Sequence, residues 1–374
     1  MRQAVTVALR VLPMVALLAA GAASAEGTQC RSARSSPGVE AFNRGVDALN
    51  KGDIDGAIAA YSEAIHLDPS LGVAYYNRGL AYERGRHPDM AVKDYDQAIE
   101  VSSDDADAYA MRGLAYTELG NLDRALADLT QAIKLAPKGA ASYANRANVY
   151  LRLGKDELAL QDANQALELN PSDADAAYNR GNIYLKKRDY DHALADYNQA
   201  VRLNPGMASA YNNRGLIYEQ RHDVDHALQD FTQALAIEPN AATVLVNRSA
   251  AFTEKGANAQ ALADVERALA VNPRDPMAYF DHGVLLSIAG NADRAFNDFS
   301  QAIALDPKFS AAYNNRGVIF AARKDFVQAV KDYDTALNLD PSNDSARNNR
   351  TLADLRKPGV ADNRALAHIE VAQR

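Results

Sequence analysis

Asparagine–arginine pairs recur along this sequence, and both side chains carry chemistry. The pair at Asn43 and Arg44 returns at intervals of 34 residues over most of the chain. A side-chain amide offers one acceptor and two donors, which match the donor and acceptor of an extended peptide backbone. A guanidinium is a permanent cation that binds carboxylates through two parallel hydrogen bonds. The pairs therefore indicate two kinds of chemistry, which are main-chain recognition and ion pairing.

A row of aspartates follows the arginines with the same period. The arginines fall on an apolar stripe, where an unpaired guanidinium would lose its hydration at a large cost in free energy. Because an aspartate is available to almost every arginine, we predict a structural ladder of ion pairs. Its members are Arg112, Arg146, Arg180, Arg214, Arg248, Arg316 and Arg350 with Asp94, Asp128, Asp162, Asp196, Asp230, Asp298 and Asp332.

The elements that must position these rows also repeat every 34 residues. One alanine position runs from Ala64 to Ala336 at this interval without insertion. Counted from Gly38, positions 4, 7, 8 and 11 share one helical stripe, and positions 20, 23, 24 and 27 share another. Small residues at positions 8, 20 and 27 allow helices to approach, and aromatic residues at positions 4, 11 and 24 fill the gaps. A proline at position 32 in most units ends the second helix.

This pattern resembles the tetratricopeptide repeat family, in which each unit is a pair of antiparallel helices, A and B. The resemblance implies an all-α fold, a right-handed α-solenoid superhelix of nine repeats over residues 38–343 with a C-terminal capping helix over 344–357. One helix pair cannot bury its apolar face alone, so stacking of the pairs makes the core. We expect residues 26–37 to be a flexible leader and residues 358–374 to be a tail.

Two pairings of the ladder are open. The aspartate at position 23 can pair with the arginine at position 7 of its own unit or with that of the next unit. Pairing within units would leave Arg350 without an acid, whereas pairing across units gives it Asp332. We therefore expect cross-unit pairs that fix the register of the helices. A row of anion-binding arginines is the alternative, and the nearby acids disfavour it.

The asparagines occupy position 6, which lies about 100° around helix A from position 7 and so leaves the apolar stripe. In the family that the chain resembles, positions 2, 5, 6, 9 and 13 line the concave side of the superhelix. The row is similar to the asparagine ladder of O-linked N-acetylglucosamine transferases, which holds a polypeptide by its main chain. We thus predict a peptide-binding row, and the alternative is that the amides only bond neighbouring helices. The predicted residues are Asn43, Asn77, Asn145, Asn179, Asn213, Asn247, Asn315 and Asn349, with Phe42, Tyr76, Tyr178 and Phe280 at position 5.

The first 25 residues are typical of a cleavable secretory signal. Arg2 and Arg10 make the N-terminal segment positive. A short apolar run comes next, and an Ala-Ser-Ala sequence that ends at Ala25 follows it. The apolar run is short for a membrane span, so we expect cleavage after Ala25, export to the periplasm and no span in the mature chain. A retained anchor is the alternative. Cys30 is the only cysteine, which excludes an intramolecular disulfide.

Charge and motifs narrow the function further. The net charge of −8 disfavours nucleic-acid binding. The sequence has no phosphate loop or nucleophile elbow, and His222 and His226 lie across a turn, so we expect no enzyme, cofactor or metal site. Positions 2 and 6 lack lysine and arginine in the nine units, which disfavours capture of a C-terminal carboxylate.

We therefore expect an exported protein–protein interaction scaffold that binds an extended polypeptide of a protein or peptide partner in a concave groove. The alternative is a structural or assembly subunit of a membrane-associated periplasmic complex, which would use its convex face, its edges or its tail.

Overall fold

The computed structural model describes residues 36–356, and every regular element within this range is an α-helix. The predicted signal and the tail lie outside the described residues, as does nearly all of the leader. The helices are α1 Pro37–Asn50, α2 Ile54–Leu67, α3 Gly72–Arg84, α4 Pro88–Val101, α5 Ala106–Glu118, α6 Leu122–Leu135, α7 Ala140–Arg152, α8 Asp156–Leu169, α9 Ala174–Lys186, α10 Tyr190–Leu203, α11 Ala208–Gln220, α12 Val224–Ile237, α13 Ala242–Glu254, α14 Asn258–Val271, α15 Pro276–Ile288, α16 Ala292–Leu305, α17 Ser310–Ala322, α18 Phe326–Leu339 and α19 Asp344–Asp354.

Two compact units divide the described chain, and the boundary between them falls inside α10, between Asp196 and Tyr197. We call residues 36–196 the first array and residues 197–356 the second array. In each array the odd-numbered helices are A helices and the even-numbered helices are B helices. The expected all-α repeat solenoid is thus confirmed by helix pairs that recur with the period of the sequence.

The turn between helices A and B places a residue with positive φ at position 15 of every described unit. Glycine adopts this left-handed conformation without steric cost, and side chains with a Cβ adopt it under strain. A left-handed residue after a helix caps its last carbonyl groups and reverses the chain. The residues are Gly52, Arg86, Gly120, Gly154, Arg188, His222, Gly256, Gly290 and Lys324.

Close helix packing explains the small residue at position 8. A Cβ atom added to Gly79 would lie 2.7 Å from a ring carbon of Tyr95, and one added to Gly215 would lie 2.7 Å from a ring carbon of Phe231. Contacts under about 3 Å are shorter than carbon atoms tolerate. The A helix of a unit therefore rests directly on the buried aromatic ring of its own B helix.

The arginine at position 7 pairs with the aspartate of its own unit. Nε and Nη2 of Arg214 donate to the two carboxylate oxygens of Asp230 at 2.7 and 2.6 Å. Asp332, which we expected to bind Arg350, accepts from Arg316 at 2.8 Å. The expectation of cross-unit pairs is therefore wrong. The same bidentate contact joins Arg78 to Asp94, Arg112 to Asp128, Arg146 to Asp162, Arg180 to Asp196 and Arg248 to Asp264.

The third guanidinium nitrogen makes the link between units. Nη1 of Arg112 donates to Asp96 at 2.7 Å, and Nη1 of Arg214 donates to Asn198 at 2.7 Å. Both acceptors occupy position 25 of the preceding B helix. Arg350 binds Asp334 at this same position, at 2.6 Å. Arg350 therefore has a carboxylate partner other than Asp332, because position 25 offers acceptors as well as position 23.

Two units depart from this arrangement. In the eighth unit, buried His282 replaces the arginine, and its Nδ1 lies 2.8 Å from Oδ2 of Asp298. In the first unit position 23 is Ala60, and Arg44 instead pairs with exposed Glu63 at 2.6 Å. The hydrogen bonds to Asp230 raise the pKa of the Arg214 guanidinium above its already high value. Arg214 therefore keeps its charge in the folded protein.

We predict that Arg214→Met lowers the free energy of unfolding by about 3–5 kcal/mol, because Asp230, which is 3% exposed, keeps a charge without its partner. The double variant Arg214→Met with Asp230→Leu should recover most of this loss. Denaturant midpoints of the single and double variants measure both effects. A double variant as unstable as the single one would show that the uncompensated charge is not the cause.

Candidate peptide-binding face

The first array presents asparagine amides that have no hydrogen-bond partner among residues 36–356. Asn43 is exposed, and Asn145 and Asn179 are half-buried. None of these three side chains makes a hydrogen bond to another described residue. Asn77 differs, since its amide donates to the carbonyl oxygen of Val73 in its own helix at 2.8 Å. The amides of Asn43, Asn145 and Asn179 are therefore available to a ligand.

The second array turns the same row inward. Asn247 donates through Nδ2 to Oδ1 of Asn212 at 2.9 Å, and Asn212 donates to Oδ1 of Asn213 at 3.2 Å. Asn212 occupies position 5, so two adjacent A helices exchange amide hydrogen bonds. The expectation that these amides face a groove is wrong, because Asn213, Asn247, Asn315 and Asn349 are all buried. A second set of the same contacts joins Asn314, Asn315 and Asn349.

The aromatic residues at position 5 also differ in how far they are buried. Phe42 and Tyr76 are half-buried, and their rings lie 5.6 and 5.8 Å from the rings of Tyr61 and Tyr95. The prediction that Phe280 receives a partner's side chain is wrong, because it is 0% exposed and packs on core rings.

Tyr178 is buried as well, with 9% of its surface exposed. It therefore presents little area to a ligand. Of the four aromatic residues predicted at position 5, Phe42 and Tyr76 keep an accessible surface.

A cluster of carboxylates lies around Tyr76, where the second and third units meet. Burial, and then the negative charges of Asp107, Asp105 and Glu83, raise the pKa of Tyr76. Burial, and then the charge of Glu118, raises the pKa of Glu83 to about 8. We call Glu83, Asp105 and Asp107, the three acids whose charges act on Tyr76, the carboxylate cluster. A carboxyl group whose charge is this costly is poised to gain from a cation.

The carboxylate cluster lies against apolar side chains and against buried polar atoms that make no hydrogen bond. Met111, which interrupts the asparagine row, packs with Tyr76 against the core around Tyr95. The Tyr95 side chain is fully buried, and its hydroxyl lies beside Glu83 without the geometry of a hydrogen bond. Oε1 of Glu83 likewise has no hydrogen-bond partner.

These acids do not form a row that the sequence reveals. Glu83 at position 12 and Glu118 at position 13 of the next unit are 35 residues apart, and the spacing recurs for Glu219 and Glu254. In the second pair Glu254 is bonded to His222 at 3.2 Å. Spacing alone would therefore have indicated two sites, and only the neighbouring side chains distinguish them.

Residues 36–356 contain neither a metal-ligand cluster nor a membrane-spanning helix. His222 and His226 belong to separate pairs, with Glu254 at 3.2 Å and with Asp223 at 2.7 Å. No group of three or more potential metal ligands occurs in the part of the chain that the structure covers. Within residues 36–356, no helix combines the length and apolar character that crossing a bilayer requires.

We predict that Glu83→Gln raises the melting temperature most at high pH. The pKa of Glu83 is about 8 in the folded protein and near 4.5 when unfolded, so charging it opposes folding as the pH rises through this interval. Glutamine removes that cost, and the variant should gain a few degrees at pH 9 and little at pH 4. Scanning calorimetry across this range measures the difference, with the exposed residue change Glu100→Gln as control. A gain independent of pH would contradict the assignment.

Comparison with protein families gives a consistent answer. Models described as tetratricopeptide repeat or TPR repeat match residues 49–85, 73–105, 94–127, 113–154, 144–206, 181–251 and 310–343. No curated protein matches the chain. The matches cover repeats in both arrays, and they follow the period read from the sequence.

Several solved structures resemble this chain at low sequence identity. A chain of the APC/C hetero-tetramer Cut9–Hcn1 is 15% identical with a TM-score of 0.58, over 84% of this chain and 76% of that one. PilF of Pseudomonas aeruginosa is 20% identical with a TM-score of 0.49, over 55% and 93%. YrrB, described as a TPR protein with an unusual peptide-binding site, is 25% identical with a TM-score of 0.40, over 50% and 96%. Period, helix pairs and family matches together show that the chain belongs to the tetratricopeptide repeat family, whose members are protein–protein interaction scaffolds.

Proposed function

We propose that this protein is an exported scaffold that binds an extended polypeptide along the A helices of its first array. The observation that carries the proposal is the set of accessible amides at Asn43, Asn145 and Asn179, which make no hydrogen bond to another residue in the described part of the chain. The architecture of this family is typically a non-catalytic scaffold. We therefore assign the protein a binding role without chemistry of its own.

Amide geometry supports recognition of a main chain. Asn145 and Asn179 occupy the same position of consecutive units, so they offer the same donors and acceptor at each step. An extended peptide presents a backbone donor and acceptor at every residue, whatever its side chains. Binding through such a row tolerates many sequences, and side-chain contacts add selectivity.

The energetic balance also favours the first array. An amide that is bonded to solvent exchanges one hydrogen bond for another when a ligand arrives, and each such bond gains about 0.5–1.5 kcal/mol. An amide that already bonds to a neighbouring helix, such as Asn247 to Asn212, must first give up that contact. The peptide is therefore expected to draw its main-chain bonds from the first array.

We predict that the double variant Asn145→Ala with Asn179→Ala weakens peptide binding about tenfold, the product of two lost hydrogen bonds. The probe is a degenerate pool of short capped peptides that carry a fluorescent label, followed by fluorescence anisotropy. The same pool with N-methylated backbone amides should bind weakly to the unaltered protein, because methylation removes the main-chain donors.

Asn121→Ala is the matched control. Asn121 is an exposed asparagine of the same array that lies in a turn between helices and makes no side-chain capping bond. Its removal should leave the affinity unchanged. Equal affinity of the double variant and the unaltered protein would refute recognition through the asparagine row.

The export part of the proposal depends on residues 1–25, which lie outside the described residues. Two arginines, a short apolar run and the Ala-Ser-Ala sequence support a cleavable signal that directs the chain to the periplasm.

We predict that the exported protein begins at Glu26, as measured by N-terminal sequencing of the periplasmic fraction. Ala25→Arg should block processing, because the cleavage site requires a small residue. A protein that is found in the periplasm with residues 1–25 still attached would contradict the cleavable signal.

A further inference from the structure

We propose that Asn148 and Asn182, which we call the inner asparagines, form a subsite for a side-chain carboxamide, that of a glutamine in the bound polypeptide. The inference rests on the proposed function, because the glutamine belongs to that polypeptide. The asparagines at position 6 bind the main chain, and the inner asparagines at position 9 select one of its side chains.

Position 9 is polar in only two of the nine units, and these two units are consecutive. Asparagine has a lower helix propensity than leucine, and burying its amide costs free energy unless hydrogen bonds compensate. Stacking of the repeats does not require asparagine here, because the other seven units use apolar residues. These are Val46, Leu80, Leu114, Leu216, Ala250, Val284 and Val318.

The inner asparagines lie on the helix face that carries the accessible amides. Asn148 follows Asn145 by three residues in α7, and Asn182 follows Asn179 by three residues in α9. Residues at this spacing share one face of a helix, and α7 and α9 contact each other. Asn145 and Asn179 are half-buried, whereas Asn148 is 7% and Asn182 is 5% exposed. The inner asparagines are therefore withdrawn further from solvent than the amides at position 6.

Oδ1 of Asn148 is a buried acceptor without a donor. It is enclosed by the protein, and no described residue donates a hydrogen bond to it. Other buried polar side chains of the A helices are satisfied, since Thr117 donates to the carbonyl oxygen of Gly113 at 2.8 Å and Ser249 to that of Ala261 at 2.9 Å. An unmade hydrogen bond of this kind costs free energy in the unliganded protein. A ligand that brings a donor to Asn148 recovers this cost.

The surroundings of the inner asparagines disfavour a cationic ligand. Arg152 and Lys186 follow Asn148 and Asn182 by four residues, so each lies one helical turn away on the same side. Asp175, which is exposed, precedes Asn182 by two turns. An ammonium or guanidinium group would lose its hydration beside two positive side chains. The donor that reaches Asn148 is therefore neutral.

A carboxamide fits these requirements better than the other neutral or acidic side chains. It carries two donors for Oδ1 of Asn148 and an acceptor for a neighbouring amide nitrogen. A carboxylate of the same length has no donor to offer. The two methylene groups of glutamine carry its amide further from the main chain than the single carbon of serine carries its hydroxyl. Ala144, one turn before Asn148, covers less of this face than the rings of Phe42 and Tyr76 at the same repeat position.

The test uses the full chain and capped, fluorescently labelled peptides of serine and alanine. One peptide carries a central glutamine, and its partner carries 5-oxonorleucine, in which a methyl group replaces the amide nitrogen and the carbonyl group is kept. We expect fluorescence anisotropy to show about tenfold tighter binding of the glutamine peptide, because only its side chain donates to Asn148. With ¹⁵N in the glutamine side chain, its amide protons should exchange with water more slowly in the complex.

Asn148→Leu identifies the acceptor. Leucine stands at position 9 in the second, third and sixth units, so the substitution suits the packing of the helices. The variant should lose the preference for glutamine and keep its affinity for the 5-oxonorleucine peptide. Its melting temperature should not fall, because leucine replaces an acceptor that lacks a partner. A lower melting temperature would show that the protein already satisfies Asn148, and it would overturn the proposal.

Asn121→Leu is the matched control, because Asn121 is an exposed asparagine of the same array. This variant should keep the preference for glutamine. Peptides with a central glutamate or lysine should bind more weakly than the glutamine peptide. Tighter binding of either one would refute the assignment to a carboxamide.

Failure of this subsite is distinguishable from failure of the proposed function. Equal affinity for the glutamine and 5-oxonorleucine peptides, with both weakened by Asn145→Ala with Asn179→Ala, refutes the glutamine subsite and leaves main-chain recognition standing. Absence of binding by every peptide, including the degenerate pool, overturns both proposals.

Discussion

The guanidinium at position 7 is the contact on which the arrangement of the repeats depends. Arg112 binds Asp128 of its own unit with two nitrogens and Asp96 of the preceding unit with the third. One side chain thereby fixes its own A helix against two B helices. Because the pair is partly buried and bidentate, sliding or rotating the A helix would break several charge-assisted hydrogen bonds together. Aromatic rings at position 4 also lie against the guanidinium, as Tyr211 does at 5.3 Å from Arg214.

Holding position 7 at the seam also fixes what position 6 can do. Position 6 is rotated by about 100° around helix A from position 7, so it lies at the edge of the packed stripe rather than inside it. Whether its amide is available then depends on the residues at position 5 of its own unit and of the preceding unit. Asn212, at position 5, accepts a hydrogen bond from Asn247 of the next unit. Around Asn145 and Asn179 these residues are Ala110, Ala144 and Tyr178, which have no amide, and the two asparagines make no hydrogen bond to a described residue.

The sequence predicted the helical repeat and its family because period, small residues and aromatic residues recur at fixed positions. It also predicted which rows would supply the arginines and aspartates. It could not predict the pairing, because a periodic sequence specifies a face and gives no distance between faces. Position 25 escaped notice since its residues, such as Ser62, Asp96 and Asn164, share only the ability to accept a hydrogen bond.

The sequence also did not predict which single members of a row are buried. Phe280 and Phe42 occupy the same repeat position, and Phe280 alone is enclosed by Phe299 and Phe309. The carboxylate cluster was missed for a related reason, since its members occupy several positions in two units and form no row. Features that repeat are readable from one sequence, whereas features that arise where a row is interrupted depend on contacts between units.

Interruptions of the rows are where this scaffold differs from a uniform repeat. Replacement of an arginine, as at His282, changes the hydrogen bonds that hold one A helix against its B helix. The ion pairs of the neighbouring units are unaffected, because each unit contacts mainly its neighbours. In the first array, where Asn145 and Asn179 make no hydrogen bond to a described residue, a change at position 6 alters mainly the surface that a ligand meets. Such changes can accumulate there without loss of the fold, whereas changes at position 7 require a substitute that still satisfies the aspartate.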